Sequence, residues 1–295
     1  MPHAKPVAKV TCRDGHRFEL IDVAPERARA AVLLLPGMGI SARHYIGFAE
    51  RLARAGTRVF IHEWRGNGSS SLRAGQGRDW GYRELIGEDL EAALRTAGRL
   101  EDTPLWLAGH SLGSQLACLI AAREPERTAG LVLIAGGAPY ARVFPWPMRL
   151  TLAVVLRAFP FLSGMVGHFP GKRLGFAGTE AHGVMEDWAR TGKRGRYDLE
   201  TLDFDPEAAL ARLQLPVLGV RMHDDWFVPR ASLDWLLAKM PRCSVEHVTI
   251  TGAAQGTRAD HFNWLEAPAA SGDAVAGWLA GRTERRDEAP GATCR

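Results

Sequence analysis

The stretch Leu105-Trp106-Leu107-Ala108-Gly109-His110-Ser111-Leu112-Gly113 constrains this chain more than any other. Leu105 to Ala108 is a short apolar run of the kind that makes a buried strand, and Gly113 to Arg123 has helical spacing. A serine between two such elements, with glycine two residues before it and two after, sits in a tight strand-to-helix turn. Small residues at those positions let strand and helix approach closely, and the turn lifts the serine hydroxyl clear of the backbone, near the positive end of the new helix. A Gly/Ser-rich turn in any doubly wound protein shares the local pattern, but the strand–turn–helix context points to Ser111 as a nucleophile. The Leu112 N–H is then one donor for an oxyanion. His110 is next in sequence, but neighbours point apart at such a turn, so it reads as a packing residue or a local hydrogen-bond partner and not as the base.

The flanking sequence predicts the architecture. Val7 to Thr11 and Arg17 to Val23 read as a hairpin about Asp14-Gly15, Ala30 to Leu35 as a buried strand, and Thr57 to His62 as the next. Further strands are expected at Leu131 to Ala135, Pro216 to Met222 and Ser244 to Ile250. Between them lie helical patterns at His44 to Ala55, Tyr82 to Leu100 (Glu88, Asp89 and Glu91 on its wet side) and Ala231 to Met240, with a closing helix after Glu266. Strands alternating with helices predict an α/β fold, a mostly parallel doubly wound sheet covered on both faces. Residues 138–205 break the rhythm, rich in Phe, Trp, Gly and Arg and helical in pieces. We read them as a cap inserted into a core domain of residues 1–137 and 206–281, with 282–295 a polar, disordered tail.

Composition excludes several classes. The chain has 295 residues, 46% of them hydrophobic, enough to bury a core without a disulfide or metal staple. The net charge of +4 is modest and no run of like charges argues for nucleic acid. Cys12, Cys118, Cys243 and Cys294 are scattered, as free thiols of a reducing compartment are. Met1 to Val10 lacks an apolar signal core. These features predict a cytoplasmic protein. The most apolar stretch, Phe144 to Gly167, is interrupted by Pro145, Pro147, Arg149, Arg157 and Pro160, so no stable membrane span is expected.

A serine nucleophile needs a base within hydrogen-bond reach and a carboxylate to hold that base's tautomer. Of ten histidines, His223, His247 and His261 lie near the ends of the late strands. His247 falls inside a strand, while His261 lies in the long loop before the closing helix. Asp224 and Asp225 both follow the strand Pro216 to Met222, whereas the strand at Leu131 ends in Ala135-Gly136-Gly137-Ala138, with no carboxylate. His223-Asp224-Asp225 lacks a matching ligand cluster elsewhere, so no metal is expected. Two glycine loops complete the set. Pro36-Gly37-Met38-Gly39 follows the first buried strand. Arg65-Gly66-Asn67-Gly68-Ser69-Ser70 lacks the spacing of a phosphate loop.

Together these motifs, over residues from about 30 to 265, resemble the α/β-hydrolases of the serine aminopeptidase-like and lipase-like branch. The segments Phe169-Pro170-Gly171-Lys172-Arg173-Leu174-Gly175 and Gly183-Val184-Met185, with Trp188-Ala189-Arg190, are similar to the cap of a bacterial group of predicted α/β-hydrolases. The resemblance implies the chain order serine, acid, histidine. It assigns Ser111, Asp225 and His261 as catalytic, with Asp224 the runner-up acid and His223 too early to be the base. It implies oxyanion donors at the Met38 and Leu112 amides and no cofactor. Pro36 stands where many relatives carry His, and Glu63 where many carry Asp.

The cap supplies Phe144, Trp146, Phe159, Phe161, Phe169, Phe176 and Trp188. Two readings stand: a small core for the cap itself, or an apolar acyl pocket above Ser111. Helices at Pro147 to Ala158 and Phe161 to Gly167 are apolar on most faces, which a lipid contact or a homodimer would explain. The function expected is hydrolysis of a carboxylic ester or thioester through an acyl-enzyme, on a small molecule with an apolar acyl group. The alternatives are a peptidase or amidase, and a non-catalytic binding protein on the same fold.

Overall fold

The computed structural model describes residues 7–101, 105–175, 177–199 and 201–287. Eight strands form one sheet: β1 (Val7–Thr11), β2 (Arg17–Val23), β3 (Ala30–Leu35), β4 (Thr57–Ile61), β5 (Leu105–His110), β6 (Thr128–Ile134), β7 (Pro216–Met222) and β8 (Ser244–Ile250). Their spatial order is β1-β2-β4-β3-β5-β6-β7-β8. The β1–β2 hairpin joins the sheet antiparallel through β2 and β4, and every later pairing is parallel. Parallel neighbours need crossover connections, and here helices supply them.

Strand alternation sorts the apolar side chains into two layers. Leu33, Leu35, Leu107, Leu131 and Leu133 join the core under one set of helices. Val32, Leu34, Ala108, Val132 and Ile134 join the other, around Trp264. The central strands are buried on both faces, as near-continuous apolar runs require. The same parallelism brings the C-terminal ends of β3, β5, β6, β7 and β8 to one edge of the sheet, where all the predicted site residues fall.

Three expectations are corrected. First, Asp89 is fully buried, not on a wet face. The helix around it is π-wound over Leu85–Leu90, and the extra residue of a π turn shifts the helix phase. Arg65 donates to both Asp89 carboxylate oxygens, at 2.6 and 3.0 Å, and His16 Nδ1 lies 2.8 Å away. Second, Trp146–Val166 is one continuous helix instead of two. Pro147 stands in its first turn, where its fixed φ suits the helix, and Pro160 stands inside it. By length and composition alone this helix is long and apolar enough to cross a membrane. Third, the closing helix Ala269–Asp287 continues into the stretch expected to be an irregular tail. Arg282 pairs with Glu246 and stacks on Trp278, which ties that turn to the body.

The aromatics of the segment 138–205 divide. Phe144, Phe169 and Trp188 are buried, and Phe159 packs tilted against Phe169 with ring centroids 4.5 Å apart. Trp146 and Phe161 are each 71% exposed. Phe176 lies outside the described residues, as do Glu200 and Cys294.

Candidate active site

β5 ends at His110 and the helix Leu112–Arg123 begins two residues later, so Ser111 occupies the turn alone. Its φ of 53° and ψ of −117° lie where L-residues rarely go, at a cost of about 1–3 kcal/mol. Crowding explains the flanking glycines. A Cβ on Gly109 would sit 2.3 Å from the Gly113 carbonyl group, and one on Gly113 would sit 2.1 Å from the Leu35 carbonyl oxygen. No larger residue fits at either position without moving β3 or the helix.

Three predicted residues meet here. His261 Nε2 lies 3.0 Å from Ser111 Oγ, and His261 Nδ1 lies 2.9 Å from Asp225 Oδ2. The side chains of His261 and Asp225 are 4% and 3% exposed, so the row is closed to water at its acidic end. Asp225 Oδ1 accepts the Phe227 and Val228 amides, each at 2.9 Å, which fixes the carboxylate. Phe227 and Phe262 flank the imidazole with ring centroids 4.8 Å from it.

The neighbouring candidates have other partners. Asp224 accepts the Ala259 amide at 3.2 Å and lies 2.8 Å from His223 Nδ1; that histidine's hydrogen bond holds its carboxyl below the usual range. It clasps the start of the His261 loop without reaching the imidazole row. His223 is exposed, and His247 stands exposed on the edge strand β8. Leu112 begins the helix at Ser111, and Met38 sits between Gly37 and Gly39 in the loop after β3.

Tyr45, which the sequence did not single out, and His110, expected to be a packing residue or local hydrogen-bond partner, tie these loops together. Tyr45 Oη accepts the Gly37 amide at 2.7 Å and lies 2.7 Å from His110 Nδ1, and His110 Nε2 lies 3.0 Å from the His261 carbonyl oxygen. A carbonyl only accepts, so His110 carries its proton on Nε2 and accepts the Tyr45 O–H hydrogen bond on Nδ1. Burial holds the His110 pKa well below the usual histidine range, which keeps it neutral in this role. The loop after β3 and the loop of His261 are thus joined through two fully buried side chains. Trp264, also fully buried, packs edge-on against Tyr45 and His110.

Glu180 was legible only as one of several cap carboxylates. It is 5% exposed, and burial pushes its carboxyl up to about 8 despite the favourable Gly39 amide beside it. The backbone of the segment 138–205 presses on this loop, since a Cβ on Gly39 would sit 2.2 Å from the Ala177 carbonyl carbon. Gly39 has a φ of 71°, so glycine is required there twice over.

The Arg65 loop serves a different cluster. Cys12, His16 and Asp89 bring ligand-type atoms within 4.8 Å of one another. The Arg65 guanidinium already neutralises Asp89 there and also pairs with Asp14 at 2.6 Å, so a cation would meet a positive charge. The donor set fits a buried ion-pair network, not a metal site.

Comparison with known proteins agrees with this frame. The family model for serine aminopeptidase, S33, matches residues 26–187. A rhodomycin D methylesterase, DauP, from Streptomyces sp. (strain C5) is 34% identical over 112 residues, 38% of this chain and 36% of that protein. A protein of Mycobacterium phage D29 that carries the name non-heme haloperoxidase is 30% identical over 126 residues, 42% of this chain and 41% of that one. The matches thus span about two fifths of the length of these curated relatives. Among solved structures, DcsB in complex with its substrate analogue superposes with a TM-score of 0.65 at 15% identity, over 95% of this chain and 99% of that one. A carboxylesterase structure from Nitrososphaera gargenis gives 0.61 at 18% identity, over 95% and 100%. Motif, sheet order and family match converge, and the chain belongs to the serine aminopeptidase S33 family of α/β-hydrolases.

Proposed function

We propose that this hydrolase cleaves carboxylic esters or thioesters through an acyl-enzyme, with Ser111 as nucleophile, His261 as general base and Asp225 as its orienting acid. The observation that carries the reading is the row from Asp225 through His261 to Ser111, with donor–acceptor distances of 2.9 and 3.0 Å. In this scheme His261 Nε2 takes the Ser111 proton as Oγ attacks the acyl carbon. Asp225 stabilises the imidazolium and keeps its Nδ1–H directed away from the serine. The Met38 and Leu112 amides hold the developing oxyanion, the latter aided by the helix N-terminus. His261 then gives its proton to the leaving oxygen or sulfur, and water, activated by the same imidazole, releases the acid. The methylesterase and carboxylesterase among the similar proteins support an ester substrate.

Residues 138–205 act in this proposal as a cap over the site. Their carboxylates favour an ester over a peptide with a free amino terminus. Asp187 accepts the Tyr82 amide, Glu186 pairs with Arg190, Asp198 with Arg194 and Asp203 with Arg123, and Asp205 caps Ala208. Each is engaged within the protein, and Glu180 is buried against the Gly39 loop. The described cap thus has few acids left to greet an ammonium group, while its apolar residues suit an uncharged acyl chain.

The test has two arms. A fluorophosphonate probe should label the wild-type protein and fail to label Ser111→Ala; labelling of both would remove Ser111 from the reaction. In the second arm, p-nitrophenyl esters of rising chain length are compared with aminoacyl-nitroanilides. Each buried methylene is worth about 0.8 kcal/mol, so kcat/KM should climb roughly fourfold per carbon until the pocket is full. Faster cleavage of the nitroanilides would make the protein a peptidase on the same machinery.

A further inference from the structure

The outer face of the helix Trp146–Val166 has no part in the proposed chemistry. Trp146, Leu150, Val154, Phe161 and Met165 are 71%, 50%, 65%, 71% and 71% exposed. Their spacing places them on one stripe of the helix. Leu156 and Ser163, seven residues apart, form the buried side, and Ser163 Oγ lies 2.9 Å from His182 Nδ1 on the helix His182–Arg194. Five large apolar side chains facing water on one helix is more than a solvated lid needs. Val166 and Leu174 are also exposed, at 47% and 53%.

The segment that carries the patch has charge of one sign. From Ala138 to Thr179 the sequence contains neither Asp nor Glu, while Arg142, Arg149, Arg157, Lys172 and Arg173 all fall within it. Arg149, Arg157, Lys172 and Arg173 are exposed. We infer that this face docks the molecule onto an anionic lipid surface, with the helix lying in the plane of the interface and its apolar stripe among the acyl chains. Arg149 flanks a stripe of Trp, Leu, Val, Phe and Met, and Arg157, four residues before Phe161, lies on the stripe's own face, where its long side chain extends its charge to the headgroups. Such a pattern is what an anionic lipid surface recognises, and a tryptophan at the helix end suits the headgroup level.

Other occupants fit less well. Crossing the bilayer would strip the helix from its contacts at Leu156 and Ser163 and carry Arg149 and Arg157 into hydrocarbon. A two-fold contact with a second copy would set one basic face against its duplicate. The chain leaves β6 for this helix and returns to β7, so the docking face belongs to the end of the sheet that holds Ser111. The inference rests on exposure and charge and is independent of the ester reading.

Flotation of the full-length protein with vesicles tests it. The wild type should float with phosphatidylcholine vesicles containing phosphatidylglycerol, weakly with pure phosphatidylcholine, and less as salt rises. The double variant Val154→Glu with Phe161→Glu should lose flotation on both. Arg149→Glu with Arg157→Glu should lower partitioning to the anionic vesicles by about tenfold or more. Ser111→Ala should float like wild type, which separates this result from any failure of the ester reading. Thermal unfolding checks that each variant is folded; should the apolar pair not fold, the arginine pair decides. Wild-type protein that stays unbound with phosphatidylglycerol vesicles overturns the proposal, as does arginine-reversed protein that floats undiminished. A wild-type dimer in light scattering that Val154→Glu with Phe161→Glu converts to monomer also overturns it, since the face would then belong to a second copy.

Discussion

The sheet edge around Ser111 and the helix Trp146–Val166 of the proposed cap hold their shapes by different means. At the sheet edge, backbone groups and buried polar side chains fix nearly every loop: two amides hold Asp225, Asp224 clasps Ala259, and Tyr45 with His110 spans from Gly37 to His261. The helix is held by one buried leucine, one serine–histidine contact and apolar packing, and its outer half faces water. A chemical centre has to hold reacting atoms within a fraction of an ångström, and directional bonds do that. A surface that meets a partner or substrate needs only area and charge. Substitutions at the sheet edge should therefore change turnover with modest cost in stability, whereas those on the cap should change what the molecule touches.

The sharpest break of this contrast would come at Ser111, the proposed nucleophile. Ser111→Ala should lower kcat/KM on any substrate by about 10⁴-fold or more with the fold intact. Wild-type turnover in the folded variant would leave the ordered edge with no chemical purpose. Next come the adjacent carboxylates. Asp225→Asn should lose roughly 10⁴-fold in kcat, because the imidazole is left in the wrong tautomer. Asp224→Asn keeps an oxygen for the Ala259 amide and should stay within about tenfold of wild type, the net value of one such hydrogen bond being about 1 kcal/mol. A larger loss at Asp224 than at Asp225 would reverse the two assignments.

A smaller effect is expected at Tyr45→Phe. Losing the hydroxyl strands the Gly37 amide and His110 Nδ1 in a buried place, which costs about 1–3 kcal/mol. The melting temperature should fall, and kcat should fall more than KM rises, because the loops at Met38 and His261 lose their common tie. A drop in stability with kcat unchanged would show that the bridge serves the fold alone.

The smallest and most particular effect concerns pH. Glu180 is held near 8 by burial against a usual value of 4.5. The folded state keeps this proton where the unfolded chain releases it, so its stabilising contribution is complete below about pH 4.5 and is lost as pH rises toward 8. Glu180→Gln has no proton to release. Melting temperatures measured from pH 5 to pH 8 should decline more steeply for the wild type than for the variant. Parallel curves would mean the carboxyl is ionised in place, bound by the Gly39 loop.

Local patterns in the chain carried much of this. Although the choice of His261 and Asp225 rests on the chain order that the family resemblance implies, the elbow around Ser111 and the eight strands, within a residue or two at most boundaries, rest on short motifs whose spacing reflects backbone sterics. Such constraints act between near neighbours, so they are written contiguously. Three features needed long-range contact. Asp89 looked like a solvent-facing acid until Arg65 and His16, distant in sequence, were placed beside it. Tyr45 was one tyrosine in an amphipathic helix start until the sheet brought Gly37 and His110 to its hydroxyl. The cap segment with its prolines read as two short helices, because the sequence shows where helices are discouraged and not whether packing on His182–Arg194 outweighs a missing hydrogen bond at Pro160. Whether a polar or apolar group is satisfied depends on what stands opposite it, and in this molecule that partner usually comes from another strand's loop.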